Sequence, residues 1–497
     1  MSKESILQIF SERYKNKYRV YPDSLKEGKN SFFFMVRNDK SKYLIIVGNS
    51  DISGKFEGEF LGKLTLNKKT LSVKMAYLNH RNLSLLQEIF PYLYPSPAGL
   101  KKSFGTGDRL GIATPAHIQA FKDKDIFPVL AQQSARENAR TGRTWQQVLD
   151  EAIWGCFETG YEGKFGADAD HVKKIEDLSK AVDCGYTMFT IDPSDFVKDD
   201  IQQLSEREKD EIYNRISEKD KLEKLYLDKT YTVGRKKFHF DARSLRDIVI
   251  TYFKALQHVV KCYGFLKDYK KGGFDFEISI DETSFATSPL AHIFITEELH
   301  RRGVNFQNLA LRFIGDWQKG IDYIGNVDEF AGELSYHAII AKNFGPYKLS
   351  LHSGSDKFSV YPAFAEKTQD LFHIKTAGTS WLEAVRVIAE KDPHLYRQIH
   401  HFALGNFEKD RASYHVTTDL SRIPEVDRLP DDELKGLLDQ PDSRQLIHIT
   451  YGSILTAKDK KGNFLFRNQI YKALFKYEDD HYKNVSSHIK KHLNLLA

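Results

Sequence analysis

Eight short apolar runs recur between about residues 110 and 378, and segments with helical periodicity separate most of them. The runs read "LGIA", "FPVLAQ", "KFGADA", "TMFTID", "FEISID", "LALRFIG", "KLSLHSG" and "FHIKTAG". Helical segments between them include "TWQQVLDEAIWGCFETG" and "LAHIFITEELHRRG", and several end in a glycine suited to a left-handed helix cap. Strands that alternate with helices form right-handed crossovers and a parallel sheet. Eight such units predict an α/β protein with a closed (β/α)8 barrel of the TIM type.

The first hundred residues follow a different pattern. They contain short aromatic and β-branched runs such as "SFFFMVRN" and "KYLIIVGN", separated by Asn, Asp, Gly and Lys turns. We therefore predict a small N-terminal β-rich domain over residues 1–98, the barrel over 99–410 and a C-terminal helical extension over 411–497. Within the barrel, about eighty residues between "TIDPSD" and "FEISID" interrupt the alternation and predict a helical insertion at about 196–270. Its charged part is typical of a solvated helix on the rim.

Composition narrows the possible partners. The 73 basic and 68 acidic residues leave a formal charge of only +5, and no long run of Lys or Arg marks a nucleic-acid surface. No stretch approaches the length of a membrane span, and the start lacks the apolar core of a signal peptide. The three cysteines are far apart in the sequence and fall in helix-like stretches: Cys156, Cys184 and Cys262. We therefore expect them to be reduced core residues, and we expect the protein to be cytoplasmic. The expected partner is a small anionic molecule, and the N-terminal domain could be a lid or a contact in a homo-oligomer.

Polar residues alternate with apolar ones along several predicted strands. In "FEISID", Phe276, Ile278 and Ile280 form one face, and Glu277, Ser279 and Asp281 form the other. Carboxylates and imidazoles that point into a barrel are costly to bury unless they are paired or bound to a metal. Because barrel enzymes carry their chemistry at the carboxyl ends of the strands, this pattern predicts an active site there.

"FGADADHVKK" places two aspartates and a histidine at one such strand end, where one residue can bind a metal and another can move a proton. Each also has a simpler interpretation: an aspartate can cap the following helix, and a lone histidine is more often structural. Together, the polar residues at four strand ends favour a divalent metal site: Asp170, His171, Glu277, Asp316 and His352. Imidazole and carboxylate ligands without thiolate suit Zn, Mn, Co, Ni or Fe(II) and do not distinguish among them. We interpret the adjacent His400 and His401 as structural.

Lys357 and Lys375 follow the last two predicted strands, where barrels commonly bind phosphate or carboxylate groups. They are candidates for anion binding, although either could be an ordinary surface lysine.

Seven motifs together resemble the tagaturonate epimerase family of hexuronate catabolism, some members of which also act on tagatose and fructose. The resemblance covers about residues 100 to 400 and rests on "GTGDRLG", "ADADHVKK", "TIDPSD", "ISIDET", "LRFIGDWQKGIDYIG", "LHSGSDKFSVYP" and "KTAGTSWLEAVRVIA". A fainter similarity extends to class II metal-dependent aldolases. The turn that reads "HGGSG" in those enzymes is "HSGSD" here, with Asp356 in place of the last glycine, which weakens a phosphate-binding role for it.

The resemblance implies an isomerase that interconverts D-tagaturonate and D-fructuronate, which differ at a carbinol carbon β to the ketone. Enolisation inverts only an α carbon, so the reaction requires retro-aldol cleavage or a transient oxidation, and we favour retro-aldol cleavage with a divalent metal such as zinc. In this scheme the metal ligands are His171, Asp316 and His352, and the proton-transfer residues are Asp170 and Glu277. Asp281 and Glu282 are rivals of Glu277. Predicted substrate contacts are Asp108, Arg109, Asp192, Arg312, Ser353 and Lys357.

Two other functions are compatible with the same motifs. A class II aldolase or isomerase that acts on sugar phosphates would use the same metal and barrel, but it should carry Gly-rich phosphate-binding turns after the last two strands. A sugar-binding protein without catalysis would not require inward carboxylates at several strand ends.

Overall fold

The structure of the protein is a computed structural model that describes residues 3–15, 17–66 and 69–496. Residues 1, 2 and 497, at the outer limits of the predicted domains, lie outside the described residues. The α/β class and the eight-stranded parallel barrel with an N-terminal β-sheet domain, both predicted from sequence, are confirmed.

An antiparallel sheet of five strands forms the N-terminal part, in the order β1-β2-β3-β5-β4. Its strands are β1 (Arg19–Gly28), β2 (Ser31–Arg37), β3 (Lys42–Gly48), β4 (Gly58–Leu66) and β5 (Lys69–Ala76), and its helices are α1 (Lys3–Arg13), α2 (Ser50–Ser53) and α3 (His80–Ile89). Both faces of β2 are buried: Phe33 and Met35 contribute to the large core shared with the barrel, whereas Phe32 and Phe34 pack with Ile6 and Phe10 of α1. This two-sided burial explains the continuous apolar run "SFFFMV".

The barrel closes from eight parallel strands that are neighbours in chain order. Around the barrel they are β6 (Ser103–Thr106), β7 (Phe127–Ser134), β8 (Gly166–Val172), β9 (Met188–Ile191), β12 (Asp275–Ile280), β13 (Asn308–Leu311), β14 (Lys348–Leu351) and β15 (Phe372–Thr376). The remaining two strands, β10 (Thr230–Val233) and β11 (Lys236–His239), form a separate hairpin. In the closed barrel, β12 lies between β9 and β13, and Glu277 is in register with Thr190 of β9 and with Asn308 of β13.

Helices separate the barrel strands and continue beyond the last one. In the barrel they are α4 (Thr114–Phe121), α5 (Ala135–Thr141), α6 (Trp145–Glu158), α7 (Ile175–Cys184), α8 (Glu206–Asn214), α9 (Lys219–Tyr226), α10 (Ala242–Tyr269), α11 (Pro289–Arg301), α12 (Val327–Phe344), α13 (Tyr361–Thr368) and α14 (Thr379–Lys391). After it follow α15 (Pro393–Arg411), α16 (Pro441–Ile449), α17 (Tyr451–Thr456), α18 (Arg467–Lys476) and α19 (Glu478–Leu495). Short 3₁₀ helices lie at Pro91–Leu93, Ser194–Phe196, Ile201–Gln203, Leu420–Arg422, Val426–Arg428 and Leu434–Leu438. None of the described helices is both long enough and apolar enough to cross a membrane.

The first barrel strand differs from the prediction. "LGIA" is not a strand: it precedes α4, and Leu110 packs among the C-terminal helices. The strand is "SFGT", Ser103–Thr106, in which Phe104 is the one large apolar residue, so no apolar run marked it. A Cβ atom at Gly105 would overlap the side-chain amide of Gln132, which projects from the neighbouring strand β7, so a larger residue there would require Gln132 to move.

Alternation along the barrel strands agrees with the pattern found in the sequence. Phe276, Ile278 and Ile280 of β12 belong to the apolar core outside the barrel. Glu277, on the other face, bonds to Ser350 Oγ of β14 at 2.7 Å. The barrel therefore contains a hydrogen-bonded polar interior beneath its carboxyl-terminal opening.

Candidate active site

A cavity of about 680 Å³ opens at the carboxyl ends of the barrel strands. Side chains from five barrel strands or their carboxyl-terminal ends contribute to its wall: Gln132, Asp170, His171, Asp281, His352 and Lys375. Because these strands belong to one closed barrel and end at the same opening, residues far apart in sequence converge there.

Two histidines and one aspartate offer ligand atoms to a single point in this cavity. One such atom from each of His171, Asp281 and His352 lies within 4.8 Å of the others. The Ser279 hydroxyl lies among them, 3.5 Å from His171 Nε2, 3.5 Å from His352 Nδ1 and 2.6 Å from Asp281 Oδ1. Two imidazoles and a carboxylate match the ligands of divalent transition metals, and three protein ligands leave further positions open for substrate. The residues present therefore fit a metal.

Each of these histidines contacts a carboxylate through its other ring nitrogen. His171 Nδ1 is 2.7 Å from Asp170 Oδ1, and His352 Nε2 is 2.6 Å from Glu277 Oε1. Such contacts fix the tautomer and orientation of an imidazole and are typical of metal-binding histidines.

The backbone at the end of β8 explains how adjacent residues both serve the site. The pairing of β8 with β9 shifts register between Ala169 and Val172, and His171 has a φ of 49° in the left-handed region. On a regular strand Asp170 and His171 would point to opposite faces. The irregularity allows both to line the cavity, at the cost of backbone strain.

Lys375 of β15 lies at the centre of the acidic groups. Its Nζ atom is 2.7 Å from Asp168, 2.8 Å from Asp170 and 2.8 Å from Glu277, and it also contacts the Thr190 hydroxyl. One ammonium therefore offsets part of the charge of three buried carboxylates.

These contacts shift the pKa values of the site. Burial disfavours the charged form of Lys375, but the three carboxylates outweigh it and raise the pKa, so the amine stays protonated. Burial also disfavours the imidazolium of His352, yet Asp281 and Glu277 raise its pKa to about 10. Burial raises the pKa of Asp168, against the effect of Lys375.

The predicted catalytic residues occupy different depths. Asp170 is 5% exposed and lines the cavity. Glu277 is fully buried below the cavity wall, where it also accepts a hydrogen bond from Asn308 Nδ2 at 2.8 Å. Its nearest route to a substrate is through His352.

The structure does not bring the predicted ligand Asp316 to the two histidines. Asp316 lines the same cavity, but its carboxylate contacts His415 Nε2 at 3.1 Å and Gln318 Nε2 at 2.6 Å. Asp281, predicted only as a rival of Glu277, lies with the histidines instead. Asp316 follows β13 by several residues, beyond the range in which strand parity predicts direction.

Three of the predicted substrate contacts line the cavity and three do not. Arg109, Arg312 and Ser353 form part of its wall. The others lie behind it. Asp108 accepts hydrogen bonds from three backbone N–H groups of the following loop, and Asp192 accepts one from Ser194. Lys357 is fully buried and donates to the carbonyls of Gln318, Ile321 and Ser355.

Sequence reasoning missed several cavity residues outside the strand ends: Arg136, Lys319, Tyr414, His415 and His448. Lys319 belongs to the sequence motif "GDWQKGIDYIG", which could have suggested it. The last three come from the C-terminal extension, for which neither strand parity nor a motif provided a signal.

A second group of metal-ligand type joins the loop after β14 to α19. Asp356 lies near His488 and His492, but both ring nitrogens of His492 are engaged: Nε2 accepts the Asp356 N–H at 3.0 Å, and Nδ1 donates to the His488 carbonyl. Arg444 Nη2 is 2.8 Å from the same carboxylate. This group therefore serves as a hydrogen-bonded attachment of the last helix.

A closed parallel barrel with convergent ionisable groups at its carboxyl end defines a (β/α)8-barrel enzyme with a site for a small polar substrate. A sequence model described as tagaturonate epimerase (UxaE) matches residues 21–496. A Thermotoga maritima protein described as tagaturonate/fructuronate epimerase is 49% identical over 495 residues, 99% of each chain. The native crystal structure of fructuronate-tagaturonate epimerase UxaE from Cohnella laeviribosi superposes with a TM-score of 0.92 at 42% identity, covering 100% of this chain and 99% of that one. A glycerol complex of the same enzyme gives a TM-score of 0.92 at 41% identity and covers 99% of each chain. The chain belongs to the tagaturonate epimerase family, which confirms the resemblance and the prediction of an isomerase.

Proposed function

We propose that this protein interconverts D-tagaturonate and D-fructuronate by a metal-dependent retro-aldol reaction. The observation that carries the proposal is the convergence of His171, Asp281 and His352 in the cavity of a chain that matches the epimerase family over nearly its whole length. Zn, Mn, Co, Ni and Fe(II) all suit these ligands.

His171, Asp281 and His352 would hold the ion, with Asp281 in the place that the sequence assigned to Asp316. A divalent ion bound there would polarise the substrate ketone and stabilise the negative charge that develops on its oxygen. Asp170 and Glu277 orient the two histidines through their second nitrogens.

Two carboxylates of the cavity wall are suited to exchange the proton of the carbinol hydroxyl. Asp170 reaches the cavity while it contacts His171 and Lys375. Glu282 also lines the cavity, and among the described residues its carboxylate has no hydrogen-bond or ion-pair partner. Glu277 is fully buried, which favours Glu282 as the second group.

The retro-aldol reaction requires no oxidant or reductant, because every bond that breaks in the cleavage step forms again in the reverse step. One carboxylate takes the proton of the β-hydroxyl while the bond between the α and β carbons breaks, and the electron pair of that bond passes to the ketone fragment. The aldehyde then rotates to present its other face. The carbon–carbon bond forms again, and a carboxylic acid returns the proton to the new hydroxyl.

Incubation with substrates, followed by NMR, tests the function. Metal-loaded protein should convert tagaturonate into fructuronate of unchanged chain length, and the reverse. Three-carbon products from fructose 1,6-bisphosphate would instead support the aldolase alternative. Recovery of tagaturonate unchanged under all metals would exclude the proposed reaction.

Metal removal tests whether the reaction needs a metal, and two matched aspartate variants test whether Asp281 or Asp316 is the third ligand. We expect EDTA to abolish epimerisation and a divalent transition metal to restore it. Asp281→Ala should lower metal affinity, measured by titration of the apoprotein, by ~100-fold or more, because one of three ligands is lost. Asp316→Ala should change affinity less than ~3-fold. The opposite ranking would restore Asp316 as the ligand, and activity in fully metal-free protein would exclude the metal.

A further inference from the structure

Several cations line the cavity, and they differ in whether an anion already satisfies them. Arg109 pairs with Glu137, and Lys375 pairs with three carboxylates. Arg136, Arg312 and Lys319 also line the cavity, yet no carboxylate lies within 4.0 Å of their charged groups among the described residues. The cavity wall therefore carries positive charge that is available to an anionic ligand.

Lys319 is the best positioned of these three cations. Its Nζ atom donates to Ser353 Oγ at 2.7 Å, and Ser353 directly follows the metal-site residue His352. A lysine ammonium has three donors, so two remain for a ligand in the cavity. One small molecule can therefore contact both the metal-site group and this ammonium.

The backbone around Lys319 is fixed by two side chains from the C-terminal extension and by Lys357 of the barrel. Gln445 Nε2 donates to the Lys319 carbonyl at 3.1 Å, and Arg444 Nε donates to the Gly320 carbonyl at 2.7 Å. Buried Lys357 Nζ donates to the Gln318 carbonyl at 2.8 Å. These contacts hold the backbone of Lys319 in place, and the hydrogen bond to Ser353 orients its ammonium, so less entropy is lost when a ligand binds.

The Arg136 guanidinium lies close enough to Lys319 for the two cations to repel each other. Burial lowers the pKa of Lys319 and Arg136 lowers it further, whereas three carboxylates act in the opposite direction: Glu282, Asp281 and Glu137. An anion bound between two such cations would relieve their repulsion. Arg136 is exposed at the opening, 5.5 Å from the Tyr414 ring centroid, whereas Lys319 is half-buried.

We propose that Lys319 binds the substrate carboxylate and so makes the enzyme prefer uronates over neutral ketohexoses. This inference rests on the proposed function. The uronate carboxylate lies at the end of the carbon chain opposite the ketone, and tagatose has an uncharged hydroxymethyl group at that position. The ammonium distinguishes the two because it forms charge-assisted hydrogen bonds only with the carboxylate.

The test compares Lys319→Met with wild type on tagaturonate and on D-tagatose. We expect kcat/KM for tagaturonate to fall by ~10- to 100-fold, as for the loss of charge-assisted hydrogen bonds, and kcat/KM for tagatose to change less than ~3-fold. If wild type turns over tagatose too slowly, the inhibition constant of tagatose against tagaturonate replaces it. Metal content should remain unchanged.

Two control variants distinguish the loss of the positive charge at Lys319 from a general effect of a substitution on the fold. Lys319→Arg should keep more of the preference for tagaturonate than Lys319→Met, and Lys198→Met, a surface lysine paired with Asp200, should behave as wild type. Equal losses on both sugars in Lys319→Met, or no loss on tagaturonate, would overturn the proposal, as would failure of Lys319→Arg to exceed Lys319→Met. Wild-type protein that does not epimerise tagaturonate would refute the proposed function, whatever the variants do.

Discussion

At the scale of single residues, Asp170 is placed both to orient the His171 ring and to exchange a proton with a substrate. Its carboxylate contacts the ring of His171 and the ammonium of Lys375, and it also faces the cavity. A group in this position can hold a metal ligand in place and exchange a proton with a substrate.

Asp170→Asn keeps the shape of the side chain and removes its charge. We expect metal affinity to fall by ~10- to 100-fold because His171 loses its charged partner. At saturating metal, turnover should remain ~100-fold or more below wild type because proton exchange is lost. Metal titration and steady-state kinetics measure the two effects separately.

Asp177→Asn, on the helix that follows the same strand, is the matched control and should behave as wild type. Full turnover of Asp170→Asn at saturating metal would limit Asp170 to orienting His171.

The sequence predicted the two histidines of the site but not the whole group around them. His352 directly follows β14, whose alternation is regular, so its place at the barrel opening could be inferred. His171 lies near the end of β8, where the register with β9 shifts and the backbone is left-handed, so its place at a strand end could be inferred but its direction could not. Asp281 and Asp316 both lie beyond the ends of their strands, β12 and β13. Asp281 directly follows β12 and keeps the face of Ser279 that alternation predicts. Asp316 lies several residues beyond β13, where loop geometry decides the direction and alternation carries no information about it.

At the scale of secondary structure elements, the last helix supports the loop that carries His352. His492 of α19 accepts the N–H of Asp356, and His488 Nε2 is 2.5 Å from the Asp356 carboxylate. Asp356 itself has a φ of 63°, which side chains other than glycine seldom adopt. The last helix thus helps to stabilise the turn at Asp356, where the backbone conformation favours glycine.

His492→Phe keeps an aromatic ring at this position and removes the acceptor. The buried N–H of Asp356 then lacks its partner, so the free energy of unfolding should fall by ~1–3 kcal/mol. Urea denaturation followed by circular dichroism measures it, and kcat/KM should fall because Ser353 and His352 precede the same turn.

Lys490→Ala alters an exposed residue of the same helix and should leave stability within ~0.5 kcal/mol of wild type. Equal stability of His492→Phe and wild type would show that the contact contributes little.

The sequence predicted a strand correctly where the strand contains a run of buried apolar residues. Seven barrel strands coincide with apolar runs in the sequence, but "SFGT" has only one large apolar residue, Phe104, and was missed. The edge strand β1 was missed for a related reason: it contains Pro22 and Asp23, and its register with β2 breaks between Tyr21 and Lys26. The hairpin of β10 and β11 lies in the insertion, which was predicted to be helical.

At the scale of the whole molecule, buried neutral histidines make stability depend on pH. Burial lowers the pKa of His117, His400 and His481 to about 4 and that of His337 and His492 to about 3. The unfolded chain binds protons at these residues near pH 6.5, well before the folded chain does. Their contribution to stability is therefore complete above about pH 6.5 and is lost as the pH falls toward 4.

His400→Gln should make the free energy of unfolding less dependent on pH. Between pH 6.5 and 4 we expect its slope to be about 1.4 kcal/mol per pH unit smaller than that of wild type, because one fewer histidine takes up a proton on unfolding. Urea denaturation at several pH values gives the slope.

His394→Gln, an exposed change on the same helix α15, should keep the wild-type slope. An unchanged slope in His400→Gln would mean that His400 is ionised in the folded protein.

The left-handed backbone at His171 and Ser353 limits where this enzyme can be improved. Each position stores ~1–3 kcal/mol that glycine could release, but glycine would remove a proposed metal ligand at His171 and the hydroxyl partner of Lys319 at Ser353. Laboratory evolution toward heat resistance should therefore collect its gains on the outer helices and leave these two positions unchanged.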